Sequence, residues 1–456
     1  MSGLYNRDEE GGESMLFSNQ DLKKLIIPLI IEQVLMMIVG MADTMMVSYV
    51  GEAAISGVGL VDIVNNLIIT VLSAIATGGA VIVSQYIGSQ NKKNAIFASG
   101  QLMTITVIIS MMIMVICLVF RQSILSLFFG SIDADVMQAS LTYFFITALS
   151  FPFLGIYNSA SAMFRSIGKT QMIMYLSLLM NIINIIGNYL GVFVFHAGVA
   201  GVAVPTLVSR IVVAVMIFVS SLNRRHSVYI KIKDIFSFDV TMIKKILHIA
   251  VPNGIENGLF TLGRVLVTSI VALFGTSQIA ANSVAGSIDQ IAVVVVNAMN
   301  LAIVTIVGQC VGANQYQQAQ YYLKKLMKIS YLATALIGGI VIVLLPWILD
   351  LYTLSIEARQ LTYILVIMHN VMAFALHPTA FVLPNGLRAA GDVHYSMYIG
   401  IFSMITFRLG SAFLFGVVLN MGIIGVWMAM GMDWLCRSLC FVIRFVKGKW
   451  REYRVV

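Results

Sequence analysis

Charge is what this chain has least of. Asp, Glu, Lys and Arg make up 11% of its 456 residues, against about a quarter in a soluble globular protein. Hydrophobic residues make up 59%, and the mean hydropathy is +0.93. An ordinary soluble domain is excluded. Cysteine is scarce too. Cys117, Cys310, Cys436 and Cys440 sit in or beside apolar runs and offer neither a disulfide framework nor metal-ligand spacing. Cys436 and Cys440 share a helix face, as two packed small residues would. Enzyme motifs are missing. "SIGKT" at 166–170 resembles the end of a phosphate loop, but the position of its first glycine is Met163. No H-E-x-x-H and no G-x-S-x-G occurs. The polar start "MSGLYNRDEEGGES" does not read as a cleavable signal peptide, so the first apolar run is expected to direct insertion.

Long apolar runs are what the chain has instead. Twelve are legible, at 25–49, 58–84, 95–118, 137–160, 171–195, 198–221, 248–273, 282–308, 326–348, 360–383, 394–419 and 422–445. Runs of this length read as membrane-spanning helices. The expected fold is therefore an all-α polytopic membrane protein. The net charge of +8 could suggest nucleic acid, but the placement of the basic residues excludes it. With the N-terminus cytoplasmic, 22 of the 28 Lys and Arg fall on the cytoplasmic side. Two, Arg121 and Arg359, fall outside, and four, Arg210, Arg264, Arg408 and Arg437, lie within runs. This positive-inside bias puts both termini in the cytoplasm.

The chain also repeats itself. "PLIIEQVL" from Pro28 and "PNGIENGL" from Pro252 stand 224 residues apart, which superimposes Glu32 on Glu256. The same offset lays "SQYIGSQNKKNA" on "GQCVGANQYQQA", Gly51 on Gly275, and "AGVAGVAV" on "MGIIGVWM". An offset of 223 lays "FRSIGKTQMIMY" on "LRAAGDVHYSMY", matching Arg165 with Arg388. Each repeat holds six spans, an even number, so the halves are expected to be parallel. The reading divides the chain into a cytoplasmic segment (1–24), two six-helix lobes (25–221 and 248–445), a basic linker (222–247) and a basic tail (446–456). Within the linker, "SFDVTMIKKIL" reads as a short interfacial helix ahead of span seven.

Ionisable groups deep in a span cost at least about 2.5–3.5 kcal/mol, so each is a functional candidate. Asp43 is one, six residues from the outer end of span one. Asn181, Asn184 and Asn188 share a face of span five. Thr206 follows Pro205, where the missing amide frees a carbonyl. Asp43, Asn184, Asn188 and Thr206 form an oxygen-rich set suited to Na⁺ or a proton, with Asp43 its one acid. The bland reading is polar glue between helices. The set is not duplicated, because its repeat counterparts are Val267, Phe407, Ser411 and Met430. Glu32, Glu256, Arg264 and Asp289 are candidate substrate contacts. The two glutamates could instead pair with Arg264 or a helix end. His369 and His377 lie on span ten. Asp433 and Arg437, four residues apart, read as a structural salt bridge, and Arg408 as structural too. Methionine, 28 residues, is either an adaptable binding surface or apolar filler.

The blocks "PLIIEQVLMMIVGMADTMMVSYVG", "AVIVSQYIGSQNKKNA", "MFRSIGKTQMIMYLSLLMNIINIIGN", "VPNGIENGLFTLGR", "IVGQCVGAN", "GLRAAGD" and "GIIGVWMAMGMDW" together resemble the multidrug and toxic compound extrusion (MATE) family. The resemblance implies two six-helix lobes forming a V-shaped cleft. It implies antiport of small organic, often cationic or aromatic, compounds against Na⁺ or H⁺, with no cofactor beyond that ion. It puts a cation site on Asp43, Asn184, Asn188 and Thr206. The family often has an aspartate where this chain has Asn188, and a functional acid in the region of Glu256. The expected setting is a bacterial inner membrane, as a monomer among lipid, without nucleic acid. The competing function is a flippase for lipid-linked precursors, whose relatives often have more spans and a strongly basic cavity.

Overall fold

The computed structural model describes residues 15–130, 133–352, 354–453 and 455–456. Of the sequence expectations, the first fourteen residues of the cytoplasmic segment, Arg7 among them, and Arg454 lie outside this set. The described residues are helical, with no strand among them. They form two compact units, Asn19–Gly254 and Ile255–Val456, the second also holding residues 15–18.

The first unit begins with α1 (Asn19–Ser48), α2 (Glu52–Gly88) and α3 (Lys92–Val119). A short α4 (Arg121–Phe129) precedes α5 (Ala134–Leu149) and α6 (Phe151–Ser166). These last two are together apolar enough for one span but are bent by 44°, where the sequence suggested an unbroken run. Pro152, without an amide hydrogen, stands just past the break at Ser150. Then come α7 (Thr170–Tyr189), prolonged by a π turn over Leu190–Val194, and α8 (Ala200–Ser221). Small residues let α7 and α8 approach closely. A Cβ on Gly187 would lie 2.6 Å from Pro205, and one on Gly191 would lie 2.2 Å from the Gly201 carbonyl.

The linker folds onto the first unit. Gln101 on α3 donates to the carbonyls of Asp234 and Ser237 and accepts from the Asp239 amide. Thr104 donates to the Ile235 carbonyl. The linker contains α9 (Ile232–Phe236), and α10 runs unbroken from Val240 to Val271. The separate interfacial helix expected before span seven is thus continuous with that span. Asp239 accepts from the Met242 amide, so the helix starts at an acidic cap and has no reason to stop before Pro252.

The second unit continues from α10 with α11 (Thr276–Gly312), α12 (Tyr316–Asp350), α13 (Ile356–Phe381) and α14 (Leu383–Ala390). Next, α15 (Val393–Ser403) passes into π-helical backbone over Met404–Gly410, the short α16 (Ser411–Phe413) and a second π stretch, Leu414–Val418. The last long helix is α17 (Gly422–Val446). Among the described residues eleven helices are long and apolar enough to span a membrane, or twelve when the bent α5–α6 pair is taken as one span.

The repeat is visible in the backbone. Left-handed residues recur in pairs at the sequence offset: Gly51 and Gly275, Gln90 and Asn314, Gly168 and Gly391, His196 and Asn420, Gly198 and Gly422. Each unit has its own apolar core, around Leu72, Phe144 and Phe151 in the first and Ile288, Leu365 and Trp434 in the second.

Candidate functional site

The first unit brings four separated polar residues into one hydrogen-bonded chain. Asn188 Nδ2 donates to Asp43 Oδ1 at 2.6 Å and to Asn184 Oδ1 at 3.1 Å. Asn184 Nδ2 donates to Thr206 Oγ1 at 2.9 Å, and Thr206 donates to the Val202 carbonyl. The local reason is the spacing. Asn184 and Asn188 are one turn apart on α7, and the Gly187–Pro205 and Gly191–Gly201 contacts press that face against α8. Asn188 is fully buried, and its Oδ1 is left without a hydrogen-bond partner. A buried oxygen in that state is short of a donor or a cation. Asn181 is buried on the same helix but lies outside this chain of bonds.

Sequence reasoning missed three members of the surroundings. Asp62 on α2 lies within electrostatic reach of Asp43 and Tyr143. Asp43 is therefore not the one acid present. Arg210 on α8 stands within electrostatic reach of Asp43, Asp62 and Tyr143. Its Nη1 donates to Ser150 Oγ at 2.7 Å, at the α5–α6 bend. Two carboxylates and one guanidinium give a net charge of minus one, the value that Asp43 alone suggested. Asp62 was legible as an acid inside an apolar run. Its helix face gave no hint that it pointed toward span one.

The repeat-matched glutamates find repeat-matched arginines. Glu32 lies 3.8 Å from Arg165, and Glu256 lies 2.5 Å from Arg388. Both glutamates are buried. Neither pairs with Arg264, the partner that sequence spacing offered. Glu256 is also 3.5 Å from Arg437, which reaches Asp433 at 3.0 Å and donates to the Gly400 carbonyl. The Asp433–Arg437 pair is thus one edge of a wider buried network. Asp289 stands 3.0 Å from Nδ1 of His369, poorly aligned for a hydrogen bond. Trp427 and Trp434 meet the His369 ring edge-on, and Trp434 also meets His377. Arg264 is exposed. No group of three or more His, Cys, Asp or Glu that could hold a metal occurs among the described residues.

The sequence profile of the MatE family matches residues 28–190 and 252–430, two blocks that start 224 residues apart, as the internal repeat does. The chain belongs to the MatE family. MatE members are membrane transporters, and this MatE chain is an integral membrane protein. It is 28% identical to "Uncharacterized transporter YisQ" of Bacillus subtilis (strain 168) over 93% of both chains. It is 25% identical to "Probable multidrug resistance protein NorM" of Thermotoga maritima, over 96% of this chain and 94% of that one. Among solved MatE structures, the outward-facing conformation of a multidrug resistance MATE family transporter superposes with a TM-score of 0.87. It covers 94% of this chain and 95% of its own, at 19% identity, a likeness of fold.

Proposed function

We propose that this MatE protein exports small organic compounds, often cationic or aromatic, in exchange for Na⁺ or H⁺. The coupling ion binds at the cluster of Asp43, Asn184, Asn188 and Thr206, with Asp62 and Arg210 setting its charge. One observation carries the reading: residues from α1, α7 and α8 join through Asn188, which is bonded to Asp43 and Asn184 and keeps one oxygen unpartnered. With the ion absent, the Asp43 carboxylate is held by the Asn188 amide. A bound Na⁺ or proton neutralises it and weakens that bond, so α1 and α7 feel a different attraction in the two states. A ligand shifts a conformational equilibrium only through such a difference. Alternating access follows when the two states favour opposite openings.

Among the candidate substrate contacts, Arg264 is open as it stands. Glu32, Glu256 and Asp289 would first have to leave Arg165, Arg388 with Arg437, and His369 respectively. The cytoplasmic placement of both termini in a bacterial inner membrane is supported by the distribution of Lys and Arg. The protein acts as a monomer, with lipid and organic solutes as its partners and no cofactor beyond the coupling ion.

The test is dye efflux from proteoliposomes under an imposed Na⁺ or pH gradient. Wild type should export under at least one gradient, and Asp43→Asn should lose gradient-driven export while remaining inserted and monodisperse. Export by Asp43→Asn at the wild-type rate would remove the cluster from coupling.

A further inference from the structure

In the second unit more arginines lie near Glu256 and Asp433 than those two carboxylates pair. Arg444 pairs with Asp392 at 2.7 Å. Arg388 and Arg437 share Glu256, and Arg437 also holds Asp433. Asp289 faces His369. Arg264 and Arg408 remain. Neither has an ion-pair partner within 4 Å among the described residues, and Nε and Nη1 of Arg408 are buried with no hydrogen bond. Asp433 has one buried oxygen to spare, Oδ2, and its charge acts on Arg408. Turning Arg408 toward it would still leave four guanidiniums, on Arg264, Arg388, Arg408 and Arg437, against the two carboxylates of Glu256 and Asp433.

The two unpaired arginines are neighbours. Helix α10 runs alongside α15 and the π stretch after it. A Cβ on Gly400 would meet Glu256 at 2.6 Å, and a Cβ on Gly263 would meet the Met404 side chain at 1.9 Å. The next residues along are Arg264 and, one turn beyond Met404, Arg408, and the charge of Arg264 acts on Arg408. Arg264 is seven residues before the end of α10 at Val271, and Arg408 ten before the end of the last π stretch at Val418. At about 1.5 Å per residue these are similar depths, roughly 10 and 15 Å in. Arg408 sits on π-helical backbone, a form that collects at functional sites. Two like charges this deep are costly without a counter-charge, and an arginine fork is shaped for carboxylate or phosphate.

We propose that Arg264 and Arg408 form a binding site for the anionic group, carboxylate or phosphate, of an amphipathic organic molecule. The assignment rests on the transport reading for its purpose, though not for its test. The occupant is either a transported solute or the headgroup of a bilayer lipid. The positive pair favours substrates that carry an anionic group over purely cationic ones.

The experiment uses the full-length protein in neutral detergent and two dyes with the same xanthene skeleton. Carboxyfluorescein is anionic and rhodamine 123 is cationic, and both are followed by fluorescence anisotropy. In parallel, dihexanoylphosphatidylglycerol and dihexanoylphosphatidylcholine are compared by the shift they give in melting temperature. Carboxyfluorescein should bind wild type and lose at least tenfold in affinity in Arg264→Gln and in Arg408→Gln, with rhodamine 123 unchanged or tighter. Arginine-dependent stabilisation by phosphatidylglycerol alone would name the lipid as the source. If Arg408→Gln does not fold, Arg264→Gln decides, because that side chain is exposed. The proposal is overturned when neither anionic probe distinguishes wild type from the arginine variants. Binding is measured without a gradient, so a failure of ion coupling at Asp43 leaves this result standing.

Discussion

Asn188 is the residue on which the proposed ion site turns. Its amide touches Asp43 at 2.6 Å and Asn184 at 3.1 Å. Replacing it by aspartate sets two carboxylates at hydrogen-bonding distance in a poorly solvated place. Two such groups cannot both stay ionised without a cation between them. Asn188→Asp should therefore gain more thermal stabilisation from Na⁺ than wild type does, read as melting temperature across a Na⁺ titration. A folded variant with the wild-type Na⁺ response would separate Asn188 from the ion. Glu256 is a different case. Its carboxylate serves Arg388 and Arg437, both buried. Glu256→Gln leaves those guanidiniums short of a counter-charge, which costs about 3–5 kcal/mol when a buried pair is broken. A large drop in melting temperature is expected. A variant as stable as wild type, impaired only toward cationic dyes, would favour the substrate role instead. Glu32, 3.8 Å from an Arg165 that is itself partly exposed, should tolerate the same change better.

Helix α7 is the element that assembles the site, and its glycines decide how closely it meets α8. The backbone of Gly191 lies so near Gly201 that a methyl group would fall 2.2 Å from a carbonyl oxygen. Backbone atoms cannot step aside as a flexible side chain can. Gly191→Ala should therefore cost about 1–3 kcal/mol, the usual range for overpacking. It should also loosen the Asn184–Thr206 bond one to two turns away. Thermal unfolding measures the first effect, and Na⁺- or pH-driven efflux the second. Unchanged stability would mean that the helices separate without penalty. The bend between α5 and α6 shows a related coupling, because Arg210 from α8 is anchored at Ser150 in that bend.

At the scale of the whole molecule, topology is the property most open to test. A cysteine replacing Arg225, in the linker next to α8, should be protected from an impermeant thiol reagent in sealed cells and labelled after permeabilisation. Labelling of sealed cells would invert the membrane orientation. The sequence by itself determined the fold class, because twelve apolar runs can bury their backbone polar groups in a membrane only as helices. It determined the duplication, because a repeat that preserves Pro28 with Pro252 and Gly51 with Gly275 preserves the turns they make. It also picked out Asp43, Asn184, Asn188 and Thr206, since polar groups in an apolar run stand out without any coordinates. Only the tertiary structure decided who meets whom. Helical period says which residues share a face of one helix, but not which face of another helix it presses upon. So Asp62, Tyr143 and Arg210 joined the surroundings of Asp43 unannounced, and Glu256 turned to Arg388 and Arg437 rather than to Arg264 on its own helix. Arg264 and Arg408, 144 positions apart in the chain, became neighbours because α10 packs alongside α15 and the π stretch after it, an arrangement written in neither helix alone.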